Sequence, residues 1–267
     1  MSRNPGTELG TKIMIRDVSL TYQGRNSKHG DVIALQDINF SIYENEIVTV
    51  VGPSGCGKTT LLFLMAGLLK PTRGEILVDG EKVTGPNSQR AMVFQEDAVF
   101  PWLTVTGNLE YGLKLKGVSF SKQKEIVLHY IKLVGLEGFE DAYPKELSGG
   151  MKKKVDIARC YAINPAVLLM DEPFGSLDVI TKERMQMELL RIWHTERKTV
   201  CFITHDIEEA LFISQRIVIL SARPGEVKRI VKVPFKGDRD LSLKTSAKFQ
   251  DLRKELWHEI SAEVKIL

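Results

Sequence analysis

Two kinds of apolar run alternate along the chain. Ile47-Val48-Thr49-Val50-Val51, Val167-Leu168-Leu169-Met170, Val200-Cys201-Phe202-Ile203 and Ile217-Val218-Ile219-Leu220 are short and nearly continuous, the pattern of strands buried on both faces. Met92-Val93-Phe94-Gln95 is a fifth, shorter run of that kind, and residues 74–80 read as a strand that ends in an Asp-Gly turn. Longer leucine-rich or amphipathic stretches predict helices at residues 60–69, stopping before Pro71, and at 105–115, 121–134 and 208–214. A terminal helix from Ala247 would turn Phe249, Leu252, Leu256 and Ile260 inward. Ahead of these, residues 13–15 and 18–22, then 34–42 with Leu35, Ile38, Phe40 and Ile42, read as two antiparallel strands joined by a polar loop at 23–31. Residues 1–10 read as a mobile tail, and residues 221–227 as a turn into a last short strand.

The order of elements predicts an α/β fold with a mixed, mainly parallel sheet, an N-terminal antiparallel β-layer and an inserted helical subdomain. We divide the chain into a core at 1–94 and 166–240, a helical part at 95–165 and a C-terminal helix at 241–267. Within the insertion, Phe100-Pro101-Trp102-Leu103-Thr104 is aromatic and apolar. Core packing is the default account of Trp102, and a docking surface for another protein is the sharper one.

With 267 residues, of which 43% are hydrophobic, the chain can bury a substantial core. A net charge of +3, dispersed along the sequence, gives no nucleic-acid footprint. Cys56, Cys160 and Cys201 have neither paired spacing nor neighbouring histidines, so neither a disulfide framework nor a zinc site is indicated. No apolar run approaches the roughly 20 residues needed to span a bilayer.

The candidate chemistry gathers around Gly52-Pro53-Ser54-Gly55-Cys56-Gly57-Lys58-Thr59, with Thr60 next, between a predicted strand and a predicted helix. This is the G-x-x-x-x-G-K-[ST] phosphate-binding loop. Its glycines let successive N–H groups turn toward phosphate oxygens, Lys58 brings a full charge to the β- and γ-phosphates, and the Thr59 hydroxyl is suited to Mg²⁺. Cys56, inside the loop, is expected to be open to alkylation and protected by nucleotide. A second helix start suited to an anion lies at Ser148-Gly149-Gly150, where Ser148 is a good N-cap. Lys152-Lys153-Lys154, just beyond, could be read as a phosphate patch, but three successive residues fan around that helix and are expected to be mostly solvated.

Three further strands deliver polar groups at their C-terminal ends, the ligand side of a parallel sheet. Asp171 and Glu172 follow one strand and should point differently, Asp171 toward a metal ion and Glu172 toward an attacking water as general base. His205 could hydrogen-bond a γ-phosphate oxygen or be structural. Gln95 could contact Mg²⁺ or water, or be satisfied in a loop. Tyr22 could stack on adenine or simply pack at a strand end.

Taken together, these residues resemble the ATP-binding cassette (ABC) ATPases from Ile13 to about Leu220. The resemblance rests on the order of P-loop, Gln95, Leu147-Ser148-Gly149-Gly150, Asp171-Glu172, Ser176-Leu177-Asp178 and His205. It implies an ATPase using ATP and Mg²⁺, in which two subunits pair head to tail around two ATP molecules. Each ATP would lie between one P-loop and the other subunit's Ser148-Gly149-Gly150. By the same resemblance Tyr22 stacks on adenine and Gln95 senses the γ-phosphate and Mg²⁺. Thr59 and Asp171 hold the metal, Glu172 activates water, His205 holds the γ-phosphate, and Asp178 couples the two sites. Met151, where many members have glutamine, and the Gly175-Ser176 and Lys152-Lys153-Lys154 departures remove no catalytic group. Residues 100–105 and Ser221-Ala222-Arg223-Pro224-Gly225 look like the nitrate/sulfonate/taurine type of bacterial importer. That type implies a membrane permease, a second ABC subunit, a periplasmic or extracellular solute-binding protein, and a peripheral position on the cytoplasmic face of the membrane.

Overall fold

A computed structural model describes residues 10–23 and 30–264; the expected tail at 1–10 and loop at 23–31 lie outside the described residues except at their edges. The chain begins with two long strands, β1 (Thr11–Tyr22) and β2 (Val32–Tyr43), paired antiparallel. Then come β3 (Ile47–Val51), α1 (Lys58–Ala66), β4 (Arg73–Val78), β5 (Glu81–Lys82) and β6 (Arg90–Val93). Three helices follow, α2 (Val105–Leu115), α3 (Phe120–Leu133) and α4 (Gly149–Ala162), packed on one another. The rest runs β7 (Val167–Asp171), α5 (Val179–Thr195), β8 (Thr199–Ile203), α6 (Ile207–Ile213), β9 (Arg216–Leu220), β10 (Val227–Lys232) and α7 (Ala247–Val264).

The strands form two sheets, an antiparallel one in the order β2-β1-β4-β5 and a six-stranded one in the order β10-β9-β3-β8-β7-β6. The larger sheet is parallel except for the β9–β10 pair. Its continuous apolar runs divide with period 2 between two cores. Ile47, Val51, Leu168, Met170, Val200, Phe202, Ile217 and Ile219 face the cluster shared with α2–α7. Val48, Val50, Val167, Leu169, Cys201, Ile203, Val218 and Leu220 face the cluster shared with α1 and the antiparallel sheet. Helix α1 is therefore enclosed between two sheets, which is why it is apolar on nearly every side. Leu61, Leu62, Leu64 and Met65 are all buried, each contributing about 1.5–3 kcal/mol.

Helix α1 ends three residues before the expected stop. Gly67 takes a left-handed conformation (φ 80°), its N–H bonds back to Leu64 O, and a Cβ there would lie 2.3 Å from Gly85 O. The terminator is thus glycine, not Pro71. The Asp79-Gly80 turn is as expected, both residues having positive φ, 52° and 79°. The 17-residue helix α5 was not anticipated from the sequence; it buries Met185, Leu189, Leu190, Ile192 and Trp193.

Candidate functional site

Strand β3 runs into the phosphate-binding loop at the centre of the larger sheet, and the loop closes into α1 through Gly55 (φ 76°) and Gly57 (φ 97°). A side chain at Gly57 would strike Leu35 Cδ2 at 2.6 Å, so glycine is required there by both conformation and space. Lys58 is buried, and its Nζ donates to Gly52 O and Pro53 O at 2.9 Å each, folding the ammonium across the loop. Ser54, Gly55, Gly57, Lys58, Thr59 and Thr60 form one side of a cavity of about 270 Å³. Tyr22, Val32 and Ala34 form another, with Glu172 and Arg223 completing it. Tyr22 is 44% exposed, and its hydroxyl lies 3.2 Å from Thr60 Oγ1, so one face of a ring overlooks the loop at the start of α1.

The acids at the end of β7 diverge as their neighbouring positions require. Asp171 is buried and accepts a hydrogen bond from Thr59 Oγ1 at 3.1 Å. Burial, the largest influence, raises its carboxyl above the ordinary range; the Thr59 hydrogen bond opposes this, as does Lys58 more weakly. Glu172 leaves the strand in a left-handed conformation (φ 41°), its N–H bonded to Ile203 O at 2.9 Å. That conformation costs about 1–3 kcal/mol for a non-glycine residue and aims the carboxylate at the end of β8. There His205 Nδ1 meets Glu172 Oε2 at 2.8 Å.

Thr59 and Asp171 form a pair of hard oxygen donors. Among the described residues no group of three or more histidine, cysteine or acidic side chains could enclose a metal ion. Two protein oxygens with the remainder from phosphate and water is the donor set Mg²⁺ prefers, so these residues fit it. The other expected contributors lie outside this cavity. Gln95 is exposed in the loop after β6 and does not line it. Ser148 caps α4, its Oγ accepting from Met151 N at 3.3 Å. With Gly150, Met151, Lys154, Thr181 and Arg184, it lines a separate cavity of about 270 Å³. A Cβ at Gly149 would come within 3.6 Å of Leu177 Cδ2, and Asp178, the N-cap of α5, accepts from Thr181 N at 3.0 Å. The two anion-suited helix starts of one chain do not share a cavity.

The family model described as ABC transporter matches residues 35–175. The chain belongs to this family. Over 226 residues this ABC protein is 50% identical to the nitrate import ATP-binding protein of Synechocystis, covering 85% of the chain and 84% of the relative. It is 43% identical over 250 residues to the taurine import ATP-binding protein of Jannaschia, covering 92% of each. Among solved structures it resembles an ATP-binding cassette described as a dimeric, post-hydrolysis state with ADP and Pi. That likeness has a TM-score of 0.68 and 31% identity, over 84% of this chain and all of the other.

This ABC cassette also holds features that the sequence reading missed or misjudged. Arg223 reaches the mouth of the cavity, its Nη2 3.4 Å from Gly55 O. The turn carrying it is pinned by Gly225, whose N–H donates to Ala34 O and where a Cβ would lie 2.0 Å from Cys56 O. Cys56 is not open to reagent: it is 1% exposed beneath the loop, and burial raises its thiol pKa despite Lys58. Lys153 is not solvated; it is fully buried, whereas Lys152 and Lys154 are half-buried. A lysine run does not tell which member faces inward, but Lys153, Asp156 and Arg159 recur at three-residue spacing, and that was the available signal. Trp102 is 68% exposed, so core packing does not account for it.

Proposed function

We propose that this cassette binds and hydrolyses ATP to power uptake of a small solute, a nitrate- or taurine-like anion or related compound, through a separate membrane permease. The observation that carries this reading is the separation of the two helix starts. The P-loop cavity is lined by Glu172 but not by Ser148-Gly149-Gly150, so a second cassette, another copy of this chain, would close over the nucleotide. The solved dimeric relative supports this arrangement.

In this reading Tyr22 stacks on the base, the loop N–H groups and Lys58 hold the phosphates, and Arg223 adds a cation at the mouth. Thr59 and Asp171, with Gln95, would hold Mg²⁺, which when bound neutralises developing charge on the phosphate oxygens. Glu172 takes the proton of the attacking water, and His205 donates a hydrogen bond to the γ-phosphate. Asp178, at the exposed start of α5, couples the two sites across the dimer. Residues 95–165 act as a helical subdomain, and exposed Trp102 with Phe100 and Tyr111 receives the permease, which keeps the cassette at the cytoplasmic face of the membrane. A solute-binding protein joins through the complex. Among the described residues no helix is long and apolar enough to cross a membrane, so membrane association would come through that partner.

The test is affinity purification of the tagged chain from detergent-solubilised membranes of its source, with mass spectrometry of what accompanies it. A multi-spanning permease is expected. Recovery only from the soluble fraction with ribosomes or nucleic acid would overturn the transport reading.

A further inference from the structure

The loop that presents Gln95 is gripped by one face of α4. Lys153 Nζ donates to Phe94 O at 3.1 Å and Gln95 O at 3.4 Å, and Asp97 Oδ1 lies 3.6 Å away. One turn on, Asp156 is fully buried, its Oδ2 3.8 Å from Lys153 Nζ and its Oδ1 accepting from Arg159 Nη2 at 2.7 Å. Arg159 Nη1 donates to Ala98 O at 2.6 Å, and its guanidinium lies over the Phe100 ring. Two cations of α4, Lys153 and Arg159, with Asp156 between them, thus hold the carbonyls of residues 94, 95 and 98, while Phe94 to Asp97 are themselves exposed.

A fully buried ammonium carries a desolvation cost that an apolar side chain of the same volume would avoid. What lysine supplies instead is direction, since its three donors fix backbone acceptors at set positions. The helix that carries it begins at Ser148-Gly149-Gly150, about one and a half turns before Lys153.

We infer that Lys153 is a positioning residue that makes Gln95 and the Ser148-Gly149-Gly150 helix start a single mechanical piece. The inference rests on the proposed contact of Gln95 with the γ-phosphate and Mg²⁺. A shift of the Gln95 loop on γ-phosphate binding would then carry α4, and the surface it offers a second cassette, in the same motion. Loss of the grip would leave Gln95 present but poorly aimed, and misplacement by about 1 Å can cost up to about a hundredfold in rate.

The experiment compares the full chain with Lys153→Met, Gln95→Ala and the double variant, reading ATP turnover and, by calorimetry, affinities for ATPγS and ADP. Lys153→Met is expected to lower kcat by about tenfold or more and to erode the preference for ATPγS over ADP, with ADP affinity within about twofold of wild type. The double variant is expected to be no worse than Gln95→Ala, because both substitutions forfeit the same contact. Independent, multiplicative losses would show Lys153 to be structural only and overturn the inference. So would a Lys153→Met variant with wild-type turnover and nucleotide preference while Gln95→Ala is impaired. A Gln95→Ala variant indistinguishable from wild type would instead overturn the reading of Gln95, and the inference with it. Lys153→Gln, which keeps an amide donor, carries the same cycle if the methionine variant does not fold.

Discussion

Glu172 and His205, delivered by the neighbouring parallel strands β7 and β8, meet at 2.8 Å through Oε2 and Nδ1. With Glu172 as a carboxylate, which only accepts, the shared proton would sit on the imidazole Nδ1. A neutral imidazole has one N–H, and donating it to Glu172 leaves Nε2 without one to offer a phosphate. In the proposed role the pair would therefore have to rearrange before Nε2 could donate to a γ-phosphate. Glu172→Gln is expected to retain ATP binding, to lose hydrolysis by about 10²–10⁴-fold, and to accumulate an ATP-bound dimer on a sizing column. His205→Ala is expected to reduce turnover too, and the double variant to lose little more than Glu172→Gln. Wild-type turnover in Glu172→Gln would sink its role as base.

Tyr22 stands at the end of β1 with its ring over the start of α1, and its hydroxyl touches Thr60 at an exposed position. Tyr22→Ala is expected to weaken ATP binding by about 1–3 kcal/mol, the worth of one base–aromatic stack, and to weaken GTP binding similarly because every base has a π-face. Tyr22→Phe should stay near wild type. Fluorescent-nucleotide titration separates these cases, and equal affinity in all three proteins would show that the ring touches no base.

How much of this was legible in the sequence depends on what each signal encodes. The core strands declare themselves because burial on both faces makes their runs continuous, and two of them, β7 and β8, lead into the polar groups Asp171, Glu172 and His205. The P-loop is legible because its glycines are needed locally. Helix α5 also carries a local signal, Met185, Leu189, Ile192 and Trp193 at i, i+4, i+7 and i+8 behind the Asp178 cap, and was overlooked rather than hidden. Arg223 reaches the site through contacts of Gly225 with β2 and the P-loop, some 170 to 190 residues away in sequence, which no local pattern records. The left-handed turn at Glu172 is likewise set by tertiary packing.

The three thiols should be silent in the native protein. Cys56, Cys160 and Cys201 are all buried, and burial pushes the Cys160 and Cys201 thiols up to about 12 and raises that of Cys56. Because the thiolate is the reactive form, raising these values lowers the reactive fraction at pH 7 to 8 as well as blocking access. A thiol-reactive dye is expected to find no fast group in the native protein and three after unfolding. Rapid native labelling of Cys56 would show that the P-loop opens far more readily than the packing of Gly52 and Gly225 against it allows.

Asn108 shapes the aromatic segment proposed above to receive the permease. Fully buried on α2, it accepts from Phe100 N at 2.8 Å and donates through Nδ2 to the carbonyls of Phe100, Leu103 and Thr104. This one side chain replaces the regular structure that residues 100–104 lack. Asn108→Ala removes the partner of Phe100 N and Leu103 O, while Phe100 O and Thr104 O keep Leu103 N and the position-108 N–H, and is expected to cost about 1–3 kcal/mol, read as a lower midpoint in thermal unfolding. Trp102→Ala, on the exposed tip of the same segment, should shift stability by no more than about 0.5 kcal/mol. Both should reduce recovery of the permease while leaving ATP affinity unchanged, the first because the segment loses its shape and the second because it loses its contact. Undiminished recovery with Trp102→Ala, in a protein shown to be folded, would move the docking surface away from this segment.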